Sequence, residues 1–344
     1  RELDGEGTSY WWRSLARNKH CVTINLRTEE GRSLARSLAL KSDVLIENFR
    51  PGTMERWGLG PEVFEAKHPA LIYARISGYG QTGPYKDRPG YASVAEAIGG
   101  LRHLTGQPGQ PPVRANVSLG DTLAGLHTVI GILAALHERG TSGAGQVIDT
   151  ALYEAVFSVL EGVVPAHAGG GHVRQPSGPT ISGVVPSNAF PCRGGRRVMI
   201  GANGRSLFVR LMRAIGRDDL AADPDLAENP GRVARAEELE AAITQWTETR
   251  TVGEVVDALV PVSVPCGPVY DVADMAADPH FIARGLFERV QGEVVPAIAP
   301  KLSRTPGRTE WTGRAVGADT DAVLRGQLGL SGEALEGLRS RGVI

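Results

Sequence analysis

A carboxylate at the head of an apolar helix is the first chemistry that this sequence offers. Asp121 follows Gly120 and opens a run in which Leu123, Leu126, Ile130, Leu133 and Ala134 share one helical face, with Arg139 near the end and Gly140 as a stop. The partial positive charge of a helix N-terminus favours an ionised carboxylate by about 0.3–1 kcal/mol, and an ionised, fixed carboxylate can act as a nucleophile. On residue pattern alone, plain N-capping is the simpler account of an Asp in that place. Asp149, at a strand end before a helix, invites the same capping reading and has nothing further in its favour.

Basic and aromatic residues form the second group. Asn48-Phe49-Arg50-Pro51-Gly52 follows a strand, at the end where open α/β sheets bind ligands. Arg50 and Arg56 suit phosphate groups, and Phe49 offers a flat apolar face to an adenine ring. An ordinary strand-to-helix turn with solvated arginines explains the same residues equally well. Gly78-Tyr79-Gly80-Gln81-Thr82-Gly83 matches G-x-G-x-x-G, but Pro84 through Gly90, with prolines at both ends, cannot open the helix that a dinucleotide fingerprint requires. The histidines are scattered, His127 projects away from Asp121, and Cys21, Cys192 and Cys266 show no metal-ligand spacing.

These groups need a scaffold, and the chain is long enough to supply one. At 344 residues two domains are expected, and 42% hydrophobic with 22% charged residues is the composition of a folded, enzyme-sized protein. A formal net charge of -1 without long runs of one sign argues against nucleic-acid and membrane-surface partners. The longest apolar stretches, such as 129–136, fall short of a membrane span, and three widely spaced cysteines read as reduced thiols of a cytoplasmic protein.

Periodicity predicts strands at 21–26, 44–47, 71–77 and 146–149 and helices at 29–40, 121–139 and 151–164, an alternation typical of a parallel α/β sheet. A Gly/Pro/Ser-rich stretch over 169–186, including Gly169-Gly170-Gly171, reads as a linker. Beyond it, a strand at 196–200 and helices at 206–215, 236–247 and 255–259 suggest a smaller α+β domain, and one further helix is expected near 334–341.

Several blocks in order resemble the class III CoA-transferases, the CaiB/BaiF family that includes formyl-CoA transferases. They are Asn48 to Gly52, Met54-Glu55, Gly58-Leu59-Gly60, Ile76 to Tyr85, Arg88 to Tyr91, Gly120-Asp121, Gly145-Gln146-Val147 with Asp149, Val264-Pro265, Gly267-Pro268-Val269, Lys301-Leu302-Ser303, Thr305-Pro306-Gly307 and the terminal Gly342-Val343-Ile344. The resemblance implies a Rossmann-like large domain (1–168 and 305–344), a linker (169–186) and a small domain (187–304), paired as an interlocked homodimer. It further implies a CoA thioester as substrate, no tightly bound cofactor and no metal.

Carried over by position, Asp121 matches the family's catalytic aspartate, which forms acyl-anhydride and aspartyl-CoA thioester intermediates. Ile24, Asn25, Leu26, Arg27, Asn48, Phe49, Arg50, Arg56, Pro89, Gly90, Tyr91 and Ala92 match positions that line the CoA site. The sequence departs from the family in two respects. Family chains begin some tens of residues earlier, with a strand and a Gly/Pro turn that also touch CoA, and many carry Asp where this chain has Ala92. The implied activity moves CoA between an acyl-CoA and a small carboxylic acid; 89–105 and 114–121 look closest to members using succinyl-type dicarboxylic acids. An acyl-CoA racemase of the same family, which carries His at the position of Tyr91, and a non-catalytic CoA-binding subunit are the alternatives.

Overall fold

The strand signals at 44–47 and 71–77, and the helix between 29 and 40, become neighbours in the computed structural model, which describes residues 2–5 and 7–344. Strands β1 (Val44–Glu47), β2 (Ile72–Ser77) and β3 (Val147–Ala151) pair in parallel and in chain order, with Glu47 beside Arg75 and Arg75 beside Asp149. The central strand β2 is buried almost throughout, as a strand covered on both faces must be. Its alternating side chains divide between two clusters. Tyr73 packs with Ala39, Met54, Leu59 and Phe64, and Ile72 and Ala74 pack with Ile132 and Ala135. The helix Glu29–Ala39 starts at Thr28, whose hydroxyl accepts the Gly31 N–H at 3.0 Å.

The expected strand at 21–26 does not form. Cys21 N–H donates to the Asp319 carboxylate at 2.9 Å, Thr23 N–H to the Thr320 hydroxyl at 3.0 Å, and Asn25 N–H to the Val343 carbonyl at 2.8 Å. Side chains and the chain end therefore satisfy the donors that a neighbouring strand would otherwise take. The expected single helix at 151–164 is also corrected: it is two helices, Leu152–Phe157 and Val163–Gly170, with Glu161 at φ +54° between them.

The 24-residue helix Leu119–Ser142 begins two residues before Asp121, runs through Gly140, and is followed by Gly143 at φ +77°. Asp121 is thus in the first turn rather than at the cap. Its packed face also differs from expectation. Gly120, Ala124, Thr128, Ile132 and Ala135 are buried, whereas Leu126, Ile130 and Leu133 are 57%, 64% and 61% exposed. The Thr128 and Thr150 hydroxyls lie 3.0 Å apart, and a Cβ on Gly131 would meet Ile148 at 3.2 Å. So close an approach to the sheet favours small residues at Gly120, Ala124, Thr128 and Ala135, with Ile132 among them, and leaves Leu126, Ile130 and Leu133 outside. By length and composition alone this helix qualifies as a membrane span, against the expectation that no stretch comes near that length.

The chain divides into two compact units, 1–95 with 120–155 and 272–344, and 96–119 with 156–271. The Gly/Pro/Ser-rich stretch 169–186 lies within the second. That unit holds an antiparallel sheet of β4 (Ser187–Pro191), β5 (Arg197–Gly201) and β6 (Cys266–Pro268), with Phe190, Val198, Ile200, Phe208, Leu211, Leu239 and Ile243 in its core. The expected helices are present there as Arg205–Ala214, Ala236–Glu248 and Val252–Leu259. The final segment adds to the first unit a hairpin, β7 (Phe287–Val290) with β8 (Glu293–Pro296), and the helices Thr320–Leu328 and Gly332–Ser340. Leu324, Leu335, Leu338 and Val343 from those helices and the chain end pack with Ile24, Leu34 and Leu38.

Candidate active site

Parallel strands bring their C-terminal ends to one edge of a sheet, and the turns that leave them surround a common space. In the first unit that space is a cavity of about 670 Å³, reached by the turn after β1, the turn after β2 and the first turn of helix Leu119–Ser142.

The turn after β1 contributes Asn48, Phe49, Arg50 and Pro51. It is anchored from below. Phe49 N–H donates to Glu47 Oε2 at 2.7 Å, and the Phe49 ring stands edge-on to Trp57 with centroids 5.1 Å apart. Glu47 Oε1 accepts Arg75 Nε–H at 2.8 Å, and the two other nitrogens of Arg75 donate to Glu55 at 2.6 and 3.1 Å. Burial opposes the charge of Arg75, but the bonds to Glu55 and Glu47 outweigh it and hold its pKa above the usual value. The hydrogen bond from Arg75 in turn holds the Glu55 carboxyl below its usual range.

The turn after β2 contributes Gly78, Lys86, Arg88, Pro89, Gly90 and Tyr91. Gly78 and Gly90 lie back to back, so that a Cβ on Gly78 would come within 2.8 Å of Gly90 Cα. Only glycine lets the two segments meet there. Gly80 N–H donates to the Ser77 hydroxyl and Gln81 N–H to the Asp149 carboxylate, each at 2.9 Å. Asp149, expected to cap the following helix, instead holds this loop from within β3. No helix follows Gly83, so the G-x-G-x-x-G run is a turn and not a dinucleotide-binding helix start. The Arg88 guanidinium stacks on Tyr85, 3.5 Å from the ring centroid.

Asp121 meets these turns from the long helix, with Gly125 one turn further on and Leu152 beside it on the lining. It is the one carboxylate among the described lining residues, and Arg50, Lys86 and Arg88 supply three cations. Apolar surface comes from Trp11, Leu15, Phe49 and Ile76. The arrangement suits an elongated ligand with anionic groups at one part and an electrophilic carbon presented to Asp121.

Of the site residues expected from sequence, the cavity gathers Asn48, Phe49, Arg50, Pro89, Gly90, Tyr91 and Asp121. The others lie elsewhere. Ala92 is 6% exposed and packs on Gly120, where a Cβ would meet it at about 3.3 Å. Arg56 is exposed and donates to the Thr53 hydroxyl at 2.9 Å. Ile24 and Leu26 pack into two apolar clusters, Asn25 holds the chain end through the Gly342 carbonyl at 3.0 Å, and Arg27 N–H donates to Asn25. Ile24 and Asn25 border a separate hollow of about 400 Å³ with Gly342, Val343 and Ile344.

Sequence reasoning passed over Lys86 and Arg88, treated only as part of a turn and a motif, and over the Glu47–Arg75–Glu55 network. Its signal was an Arg in the middle of an otherwise apolar strand. No three His, Cys, Asp or Glu side chains cluster as metal ligands among the described residues.

Comparison with known proteins agrees over nearly the whole chain. The sequence profile of CoA-transferase family III matches residues 1–320. The succinyl-CoA–D-citramalate CoA-transferase of Chloroflexus aurantiacus is 42% identical over 344 residues, covering 98% of this chain and 86% of that protein. The alpha subunit of the succinyl-CoA–L-malate CoA-transferase of Chloroflexus aurantiacus is 42% identical over 339 residues, 97% of this chain and 79% of that one. Among solved structures, a CaiB/BaiF family protein from Brucella suis superposes with a TM-score of 0.84 at 31% identity, over 95% of this chain and 86% of that chain. The chain is thereby a member of CoA-transferase family III.

Proposed function

We propose that this enzyme moves CoA between an acyl-CoA and a small carboxylic acid, with Asp121 as the nucleophile. The observation that carries the reading is that one carboxylate, Asp121, and three cations, Arg50, Lys86 and Arg88, line a single cavity. CoA brings phosphates for the cations and an adenine for Phe49 or Trp11, and its thioester carbon is the electrophile for the carboxylate. The Asp121 carboxylate adds to the acyl carbonyl and expels CoA thiolate, leaving an acyl-aspartyl anhydride. The thiolate then attacks the aspartyl carbonyl of that anhydride, releasing the donor acid and forming an aspartyl-CoA thioester. The acceptor carboxylate attacks this thioester, and the thiolate released then attacks the acceptor's acyl carbonyl, giving the new acyl-CoA and restoring Asp121. No water is consumed, so the thioester's energy is kept. Both relatives named above carry succinyl-CoA and a dicarboxylic acid in their names, which favours a succinyl-type donor and a dicarboxylic acceptor here.

Pairing of two copies as an interlocked homodimer belongs to the same proposal, supported by the large apolar side chains that a single copy leaves outside on helix Leu119–Ser142. So does a cytoplasmic location, supported by three unpaired cysteines. Asp121→Asn keeps the size of the side chain and is expected to lower turnover at least about 10³-fold with the fold intact. Hydroxylamine added to the parent enzyme with succinyl-CoA should yield a hydroxamate at Asp121. A hydroxamate mapped to Asp149, or full activity in Asp121→Asn, would falsify the mechanism.

A further inference from the structure

Resting on the reading of the cavity as the CoA site, we infer that Arg75 is a positioning residue for the turn Asn48–Arg50, acting through Glu47 and Glu55 at its two ends. The turn leaves β1 at Glu47 and enters the short helix Thr53–Arg56, which carries Glu55. One guanidinium holds both: Nε on Glu47 at 2.8 Å, Nη1 and Nη2 on Glu55 at 2.6 and 3.1 Å. The second oxygen of Glu47 takes the Phe49 N–H at 2.7 Å, so the clamp reaches the middle of the turn. Glu47 and Arg75 are 5% and 6% exposed, which leaves little room for water to substitute for either partner.

Charge cannot be what this network gives the ligand. Two carboxylates against one guanidinium leave a net negative charge behind a wall that would receive phosphates, the wrong sign for attraction. Geometry is left. A planar guanidinium with donors in a fixed fork ties two carboxylates at set angles, and an ammonium cannot. Fixing the turn in advance places Arg50 and Phe49 on the cavity wall before a ligand arrives, so less ordering is required on binding.

The test compares Arg75→Lys, Glu47→Gln and Glu55→Gln with Arg50→Ala in the full chain, using succinyl-CoA as donor and CoA alone for titration. Arg75→Lys keeps the charge but loses the fork; it should raise KM for succinyl-CoA at least five-fold while kcat stays within two-fold of the parent. Glu47→Gln frees one of two bonds and should raise KM about three-fold. Glu55→Gln, at the more exposed end, should act in the same direction and is the variant safest for folding. Failure of all three network variants to fold, or a fall in kcat as large as the rise in KM in those that fold, would mark a merely structural role and overturn the inference. So would parent-like KM and CoA affinity in the folded Arg75→Lys and Glu47→Gln proteins, or in Glu55→Gln if neither of those folds, provided Arg50→Ala binds more weakly. If Arg50→Ala also binds CoA as the parent does, it is the reading of the cavity that fails.

Discussion

The second unit packs Phe190, Ile200, Phe208, Leu211, Leu239 and Ile243 into an apolar core, and Arg232, buried beside it, gives its N–H groups to the main-chain carbonyls of Val185, Leu226 and Ala227 at 2.9–3.0 Å. The first unit divides its apolar residues among smaller clusters and buries Glu47, at the end of β1, beside Arg75, within β2, with Asp319 between its terminal segments. Apolar packing stabilises without regard to direction, while buried charges stabilise little in net terms and fix angles. In the first unit the buried Glu47–Arg75 pair stands behind a turn of the candidate active site, whereas the second unit encloses Arg232 against main-chain carbonyls and Glu96 against Arg102.

The comparison can be broken at its extremes. Phe208→Ala removes a side chain 1% exposed and is expected to cost about 3–5 kcal/mol in unfolding free energy by urea titration, with little dependence on pH. A cost below about 1 kcal/mol would show that this core is not closely packed. Arg75→Met is expected to cost a similar 3–5 kcal/mol at neutral pH, because Glu47 is left buried without its cation. Here pH separates the two regions. In the parent the Glu55 carboxyl is held low by Arg75, so its contribution is complete above the unfolded carboxylate pKa of about 4.3 and is lost as pH falls through the folded value. The Met variant lacks that contribution. The stability gap between parent and variant should therefore begin to narrow as pH falls below about 4.3 and go on narrowing through the lowered Glu55 value, and curves that stay parallel would contradict a network held by charge.

Binding sharpens the contrast on a smaller scale. Arg50→Ala should weaken succinyl-CoA binding by about 1.5–3 kcal/mol, the worth of a charge-assisted hydrogen bond, without lowering the unfolding midpoint. Arg56→Ala measures how far the ligand reaches beyond the cavity. A loss as large as that of Arg50→Ala would place a phosphate outside the lining described above. The smallest expected effect is none at all: by the sequence resemblance Tyr91 matches the position at which racemases of the family carry His, so no exchange of the α-proton is expected. A chiral 2-methylacyl-CoA incubated with the enzyme in deuterated water should keep its α-hydrogen, and enzyme-dependent deuterium uptake would favour racemisation over transfer.

Periodic patterns were legible where one neighbour decided them. Glu29–Ala39, β1, β2 and the helices Arg205–Ala214 and Ala236–Glu248 form close to where apolar spacing and caps place them. The long helix misled because large aliphatic side chains look like core, whereas the face lying close to the sheet is Gly120, Ala124, Thr128, Ile132 and Ala135, mostly small residues. Residues 21–26 misled for a related reason: their pattern suits a strand, but the acceptors that reach them belong to Asp319, Thr320 and Val343.

The site shows the same division. Asp121, the turn at 48–50 and the segment 89–91 could be named from blocks of sequence, since each is a local run with its own residue types. That they share one cavity, while Arg56, Ala92 and residues 24–27 fall outside its lining, was decided by parallel pairing of β1 with β2 and by the glycine contact between 78 and 90. Glu47 and Arg75 are 28 positions apart, and Glu55 and Arg75 are 20. No spacing rule joins them. Glu47 meets Arg75 because strand register sets their backbones side by side, and burial of Arg75 leaves its guanidinium to pair with Glu47 and Glu55, a constraint that exists only once the chain has folded.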